Sequence, residues 1–145
     1  MKEIRLLTKD DLDACVALCD ECFAETNYSY DVRKDLIQMF IDDSISESEF
    51  FVFDNNGVIE GLIGFSNCMF DSSVYGIYCW YVKPASRNKN IGPKLGRHVL
   101  SRLEEKEAET VMMSTRTPKI LERIGFKQIV QNGEWSIMYK QLNKQ

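Results

Sequence analysis

The run Tyr81-Val-Lys-Pro-Ala-Ser-Arg-Asn-Lys-Asn-Ile-Gly92-Pro-Lys-Leu holds the residues best suited to chemistry in this chain. Its residue types suit phosphate. An apolar stretch enters a short loop rich in amides, and a helix-compatible segment follows. A helix start leaves about four backbone N–H groups without intrahelical partners and carries partial positive charge. Together these attract an oxyanion. Lys83, Arg87, Lys89, Lys94 and Arg97 gather around the same loop. The expected occupant is a small ligand bearing a pyrophosphate.

The other chemistry-bearing residues point less clearly to a site. Cys15, Cys19 and Cys22 have the C-x-x-x-C-x-x-C spacing of a four-iron cluster motif. Cys15 and Cys19, however, fall on the apolar face of an amphipathic helix, where free cysteine packs as a small hydrophobe. No metal is expected. The five cysteines are odd in number and show no secreted spacing, so reduced thiols in a cytoplasm are the expectation. A Rossmann unit would also put phosphate at a strand–loop–helix junction, but it needs closely spaced glycines, and Arg87 to Gly92 contains one.

The elements that must position the loop are set by periodicity. Ile4–Leu7 reads as a first strand, and Thr8 with Asp11 resembles a capping box. Leu12, Cys15, Val16, Cys19 and Phe23 recur at helical spacing, which predicts a helix over 9–23. A second helix is expected from Asp31 through Ile41. Phe50–Phe53 and Val58–Met69 are strands joined at Asp54-Asn-Asn-Gly57. Val74–Val82 is apolar or aromatic at nearly every position, as a strand covered on both faces must be. Pro93 suits the first position of a helix reaching about Ala108. Val111–Met113 is a short strand, and Thr117-Pro118 opens a brief helix that stops at Gly125. Phe126–Val130 and Trp135–Leu142 close the chain as a hairpin around Gln131–Glu134.

The order β-α-α-β-β-β-α-β-α-β-β, without repeats or linkers, describes one mixed α/β domain over 1–145. At 44% hydrophobic and 28% charged it has ordinary globular composition. No apolar run nears the roughly 20 residues that span a bilayer, and the first residues lack a signal-peptide core. A net charge of −4 argues against a nucleic-acid partner. The expectation is a cytoplasmic protein with no membrane partner.

Three segments in this order resemble the GNAT superfamily of acetyl-CoA-dependent N-acetyltransferases, over essentially the whole chain. Val82-x-Pro84-x-x-Arg87-x-x-Asn90-x-Gly92 resembles its acetyl-CoA loop. Ile120-Leu-Glu-Arg-Ile-Gly-Phe126 resembles its leucine-tyrosine-x-x-leucine-glycine-phenylalanine segment, and Met138–Leu142 its closing strand. The resemblance implies a mostly antiparallel central sheet flanked by helices and splayed between its fourth and fifth strands. It implies that coenzyme A lies with its pyrophosphate on the backbone of Arg87, Asn88, Lys89, Asn90, Ile91 and Gly92, near Lys94. The pantetheine arm would pair with the main chain at Trp80, Tyr81 and Val82 as an added strand. Ser114 stands where many relatives carry an asparagine that contacts this arm.

The activity implied by the resemblance is transfer of an acetyl group from acetyl-CoA to a primary amine of a small molecule, peptide or protein, with a homodimer left open. The chain departs from the family pattern in three places. Asn90 replaces a glycine, Pro93 removes one N–H donor, and Leu121 occupies the place of a tyrosine that protonates the departing thiolate. Ser114 or Tyr78 could supply that proton instead. Glu25, Glu60, Asp71, Glu134 and His98 are the polar groups near the expected acceptor loops; Glu60 is expected to face the sheet surface, and Glu25 and Glu134 could attract a cation. No catalytic residue can be named from the sequence. The alternative is an acyl-CoA-binding or regulatory module of the same fold that has lost the chemistry.

Overall fold

Aromatic and β-branched residues fill both faces of the middle strands, so the chain builds a sheet that must be covered on both sides. The computed structural model describes residues 1–25, 33–34, 36–37, 47–67 and 72–142. Seven strands, β1 (Lys2–Leu6), β2 (Glu49–Asn55), β3 (Val58–Asn67), β4 (Val74–Val82), β5 (Thr110–Thr115), β6 (Lys127–Asn132) and β7 (Trp135–Gln141), form one sheet. Its order is β1-β2-β3-β4-β5-β7-β6. Every neighbouring pair is antiparallel except β4 and β5, which run parallel.

Among the described residues, the helices with full bounds on this sheet are α1 (Leu12–Phe23), α2 (Ile91–Glu105) and α3 (Pro118–Glu122). Alternation along β2 sorts the two cores. Phe51 and Phe53 join Ile63, Phe65 and the α2 residues Ile91, Leu95, Val99 and Leu103 on one side. Phe50 and Val52 join Leu62 and the α1 residues Cys15, Leu18, Cys19 and Cys22 on the other. The cysteines of the C-x-x-x-C-x-x-C spacing are thus core residues, and burial raises the Cys15 thiol to about 12. Among the described residues no cluster of His, Cys, Asp or Glu could hold a metal ion.

A single-turn 3-10 segment at Lys9–Asp11 precedes α1, where a continuous helix from residue 9 was expected. Asp11 explains the turn: its Oδ2 accepts from the Thr8 N–H at 2.8 Å and from Thr8 Oγ1 at 3.0 Å. α2 begins at Ile91, not Pro93, because Asn90 serves as its N-cap in the left-handed conformation (φ 65°). Pro93 therefore stands in the first turn, ahead of the first intrahelical bond from Lys94 N–H to Asn90 O at 3.2 Å. The helix stops at Glu105, short of the expected Ala108. Glu107 turns left-handed (φ 60°), and the Glu107 and Ala108 N–H groups return to the Glu104 and Leu103 carbonyls, both at 3.0 Å. This is a Schellman closure with a glutamate where glycine is usual.

The expected helix over 31–41 and the end of the strand at 68–69 fall largely outside the described residues; residues 33–34 and 36–37 are helical. The final hairpin turns through Gly133-Glu134 alone, since Asn132 pairs with Trp135 and Gln131 with Ser136. No helix among the described residues is long and apolar enough to cross a membrane.

Candidate functional site

β4 and β5 pair only at Val74↔Thr110, Tyr75↔Val111 and Gly76↔Met112. Beyond that point β4 continues to Val82 on β3, and β5 continues to Thr115 on β7. The two strands therefore part like a V. The gap opens into a cleft of ≈ 1580 Å³ that also takes in Arg87, Asn88, Asn90, Ile91 and Gly92. A ligand with a linear arm and an anionic end could lie along it, the arm in the V and the anion at the loop.

A bulge re-aims β4 inside the gap. Gly64 pairs with Tyr78 and Leu62 with Tyr81, so Ile63 opposes both Cys79 and Trp80. Cys79 takes φ 56°, a conformation that costs a non-glycine residue energy and that clusters at functional sites. The extra residue resets the alternation. Tyr75 and Ile77 face α2, and after the bulge Trp80 and Val82 return to that side. Cys79 and Tyr81 pack toward α1, where Phe23 meets the Tyr81 ring edge-on at 5.3 Å.

The loop after β4 departs from ordinary backbone geometry. Asn88 and Asn90 are both left-handed (φ 67° and 65°), and such changes in the sign of φ turn successive N–H groups toward one concavity. Asparagine is the non-glycine type that tolerates this conformation best. A Cβ on Gly92 would meet only Val82 Cγ2, at 3.6 Å. Protein packing does not by itself require glycine there.

The side chains are disposed differently from what the local charge suggests. Arg87 turns back rather than out: Nη2 lies 2.8 Å and Nη1 3.1 Å from the Glu25 carboxylate, and Nε donates to Val82 O at 3.3 Å. Lys89 and Lys94 are exposed and lie outside the cleft lining. Arg97 lines the cleft instead, one turn along the face shared by Pro93, Gly96 and Leu100. That helical spacing was the signal for it. Trp80 lines the cleft, and its indole packs on Gly96 of α2 and donates to Gly92 O at 3.2 Å.

Ser114 is exposed in the opposite wall of the V. Leu121 lines the cleft but is only 3% exposed, packed in the α2-side core. Tyr78 is 41% exposed, and its hydroxyl lies over Gly76, where a Cβ would be only 2.8 Å from it.

The remaining polar candidates are committed elsewhere. Glu60 is buried and hydrogen-bonded to Ser86 and Asn55 rather than facing outward at a sheet surface. His98 stacks edge-on against Phe51 at 4.5 Å. Glu25 and Glu134 are already paired with Arg87 and Arg116. Asp71 and Cys68 lie outside the described residues. Cys15, Cys19 and Cys22 are not prepared as nucleophiles: burial raises their thiols, outweighing the opposing Arg87 charge at Cys22.

The family model of the GNAT acetyltransferases matches residues 12–126. The chain belongs to the GNAT acetyltransferase family. No curated protein matches it by sequence. A GNAT-family acetyltransferase from Staphylococcus aureus Mu50 superposes with a TM-score of 0.84 at 18% identity, over 99% of this chain and 100% of that one. PaiA N-acetyltransferase from Thermoplasma acidophilum, in complex with coenzyme A, superposes at 0.80 and 18% identity over 97% and 99%. A GNAT acetyltransferase from Brucella melitensis, in complex with acetyl-CoA, gives 0.74 at 21% over 94% and 86%. These likenesses establish the GNAT fold.

Proposed function

We propose that this GNAT domain, spanning 1–145, transfers the acetyl group of acetyl-CoA directly to a primary amine of a small molecule, peptide or protein. The observation that carries the reading is the V between β4 and β5 after Gly76↔Met112, with the Arg87–Gly92 loop in the same cleft. Coenzyme A needs both parts: a slot whose edges offer free main-chain groups to the pantetheine amides, and a concavity of N–H groups for the pyrophosphate. The bare Gly92 and the left-handed Asn88 and Asn90 support that fit. Structural relatives crystallised with coenzyme A or acetyl-CoA support it further.

The bound thioester supplies an acyl carbon with a thiol leaving group. This chain's contribution is to hold and orient it. The main chain of Trp80, Tyr81 and Val82 binds the arm, and backbone N–H groups past the bulge polarise the carbonyl, an oxyanion-type contribution. A neutral amine attacks without a covalent enzyme intermediate, consistent with raised thiol values at Cys15, Cys19 and Cys22. The leaving thiolate takes its proton from the hydroxyl of Tyr78 or Ser114, and that hydroxyl regains one from the proton the attacking amine releases as the amide forms.

A second reading, an acyl-CoA-binding module without turnover, draws on one observation: Leu121, 3% exposed, has no proton to give. Free thiol release with acetyl-CoA and a broad amine panel separates the two. Release above the amine-free rate supports the enzyme. Binding without release leaves the module, and absence of acetyl-CoA binding removes both.

A further inference from the structure

β3 carries a second irregularity, nearer its start and on its β2 side. Phe53 pairs with Gly61 and Asp54 with Ile59, which leaves Glu60 as the extra residue of a bulge. Bulges re-aim side chains, and this one turns a carboxylate inward. Glu60 is 9% exposed. Its Oε2 accepts from Ser86 Oγ at 2.8 Å and its Oε1 from Asn55 Nδ2 at 3.1 Å. Both donors are neutral. A buried carboxylate is costly to keep unless its oxygens are hydrogen-bonded, so its two partners are held firmly.

Ser86 matters because of where it stands. It closes the single 3-10 turn Pro84–Ser86, and the next residue, Arg87, begins the loop with the two left-handed asparagines. The main chain of Glu60 grips the same turn: its carbonyl accepts the Lys83 N–H at 2.9 Å, and the Ser86 N–H returns to Lys83 O at 2.8 Å. Ser86 is 2% exposed, leaving little access for water to replace the carboxylate. β3 thus holds the entry of the loop by one backbone bond and one side-chain bond.

We propose that Glu60 is a positioning residue for the anhydride-binding loop, fixing through Ser86 where the N–H groups of Asn88 to Gly92 point. The inference rests on the acetyl-CoA reading above and adds a residue to it. Glu60 touches neither reactant and takes no part in the acetyl transfer. Its effect is confined to the pyrophosphate end of the ligand.

That confinement is the test. Dissociation constants are measured by calorimetry for acetyl-CoA and for acetyl-pantetheine, which shares the thioester and arm but lacks the anhydride. Glu60→Ala is expected to weaken acetyl-CoA by about tenfold or more while leaving acetyl-pantetheine within about twofold of wild type. Glu60→Gln keeps a donor and an acceptor in the same place and restores acetyl-CoA affinity. In turnover, the loss appears in KM for acetyl-CoA and not in kcat. Ser86→Ala removes the same bond from the other end and reproduces the selective loss if Glu60→Ala does not fold. Equal weakening of both ligands, or unchanged acetyl-CoA affinity, overturns the inference. Wild-type protein that binds neither ligand overturns the acetyl-CoA reading itself, and the inference with it.

Discussion

The indole of Trp80 lies directly on Gly96: a methyl group at residue 96 would come within 2.6 Å of Cζ2 and 2.8 Å of Cη2. The same indole donates to Gly92 O at 3.2 Å. One aromatic ring therefore ties the strand past the β4 bulge to the first turns of α2, the two pieces that flank the loop. Gly96→Ala cannot be accommodated by a flexible side-chain end, since the obstacle is a fused ring. The expected cost is about 1–3 kcal/mol, the usual range for overpacking. Displacing Trp80 also weakens acetyl-CoA binding. Thermal unfolding and calorimetric titration of the one variant check both effects.

Gly92→Glu tests the loop with the fold left intact. A Cβ at residue 92 makes an ordinary 3.6 Å contact with Val82, so the first side-chain atom meets no obstacle in the protein. What it adds is bulk and negative charge where the pyrophosphate would sit. Loss of acetyl-CoA binding with an unchanged melting temperature is the expected result. Micromolar affinity retained in this variant would refute the loop assignment.

The legibility of the chain varies with the kind of signal each feature carries. The Asn56-Gly57 hairpin is readable because a two-residue turn with both φ values positive (53° and 93°) selects those residue types. The stop at Gly125 (φ 97°) is readable for the same reason, and the Phe126 N–H returning to Leu121 O at 3.1 Å completes it. The stop of α2 is not, because Glu107 takes the place of a glycine there. The bulge at Cys79 leaves no trace in the pattern, since β4 is apolar toward both faces and a parity switch changes nothing visible. Charge shows that the loop suits an anion but not which way side chains turn. Lys89 and Lys94 lie outside the cleft lining, Arg87 is held by Glu25, and Arg97 reaches in from the helix. The inward turn of Glu60 is hidden because its partner, Ser86, is remote in sequence and the bulge that joins them has no local signature.

Asp11 gives the fold an acid-sensitive lock. The Arg5 guanidinium, 2.8 Å away, holds its carboxyl down at about 2 from an ordinary 3.8, with help from the Thr8 N–H and hydroxyl. A carboxyl lower in the folded than in the unfolded chain contributes stability above its unfolded value, and that contribution disappears as pH falls through its folded value. Wild-type stability is therefore expected to drop between pH 3.8 and about 2. Asp11→Asn should be less stable at neutral pH and show a smaller drop across that window. Melting temperature against pH for the two proteins is the measurement.

The proton path at residue 121 is open to a paired substitution. Leu121 is a core residue at the cleft wall, and the Tyr78 hydroxyl lies over Gly76, the last point where β4 and β5 pair. A phenol hydroxyl placed at the reacting sulfur can act as a general acid toward a departing thiolate. Tyr78→Phe keeps the ring and deletes the hydroxyl, so acetyl-CoA affinity is expected to hold while kcat falls by roughly 10²- to 10⁴-fold, the range for one general acid. Leu121→Tyr alone should change kcat little, because the acid is already supplied. Placed on Tyr78→Phe, it should recover a large part of the lost rate. If Tyr78→Phe keeps wild-type turnover and Leu121→Tyr accelerates it, the chain runs without an acid from Tyr78, and residue 121 is where one was missing.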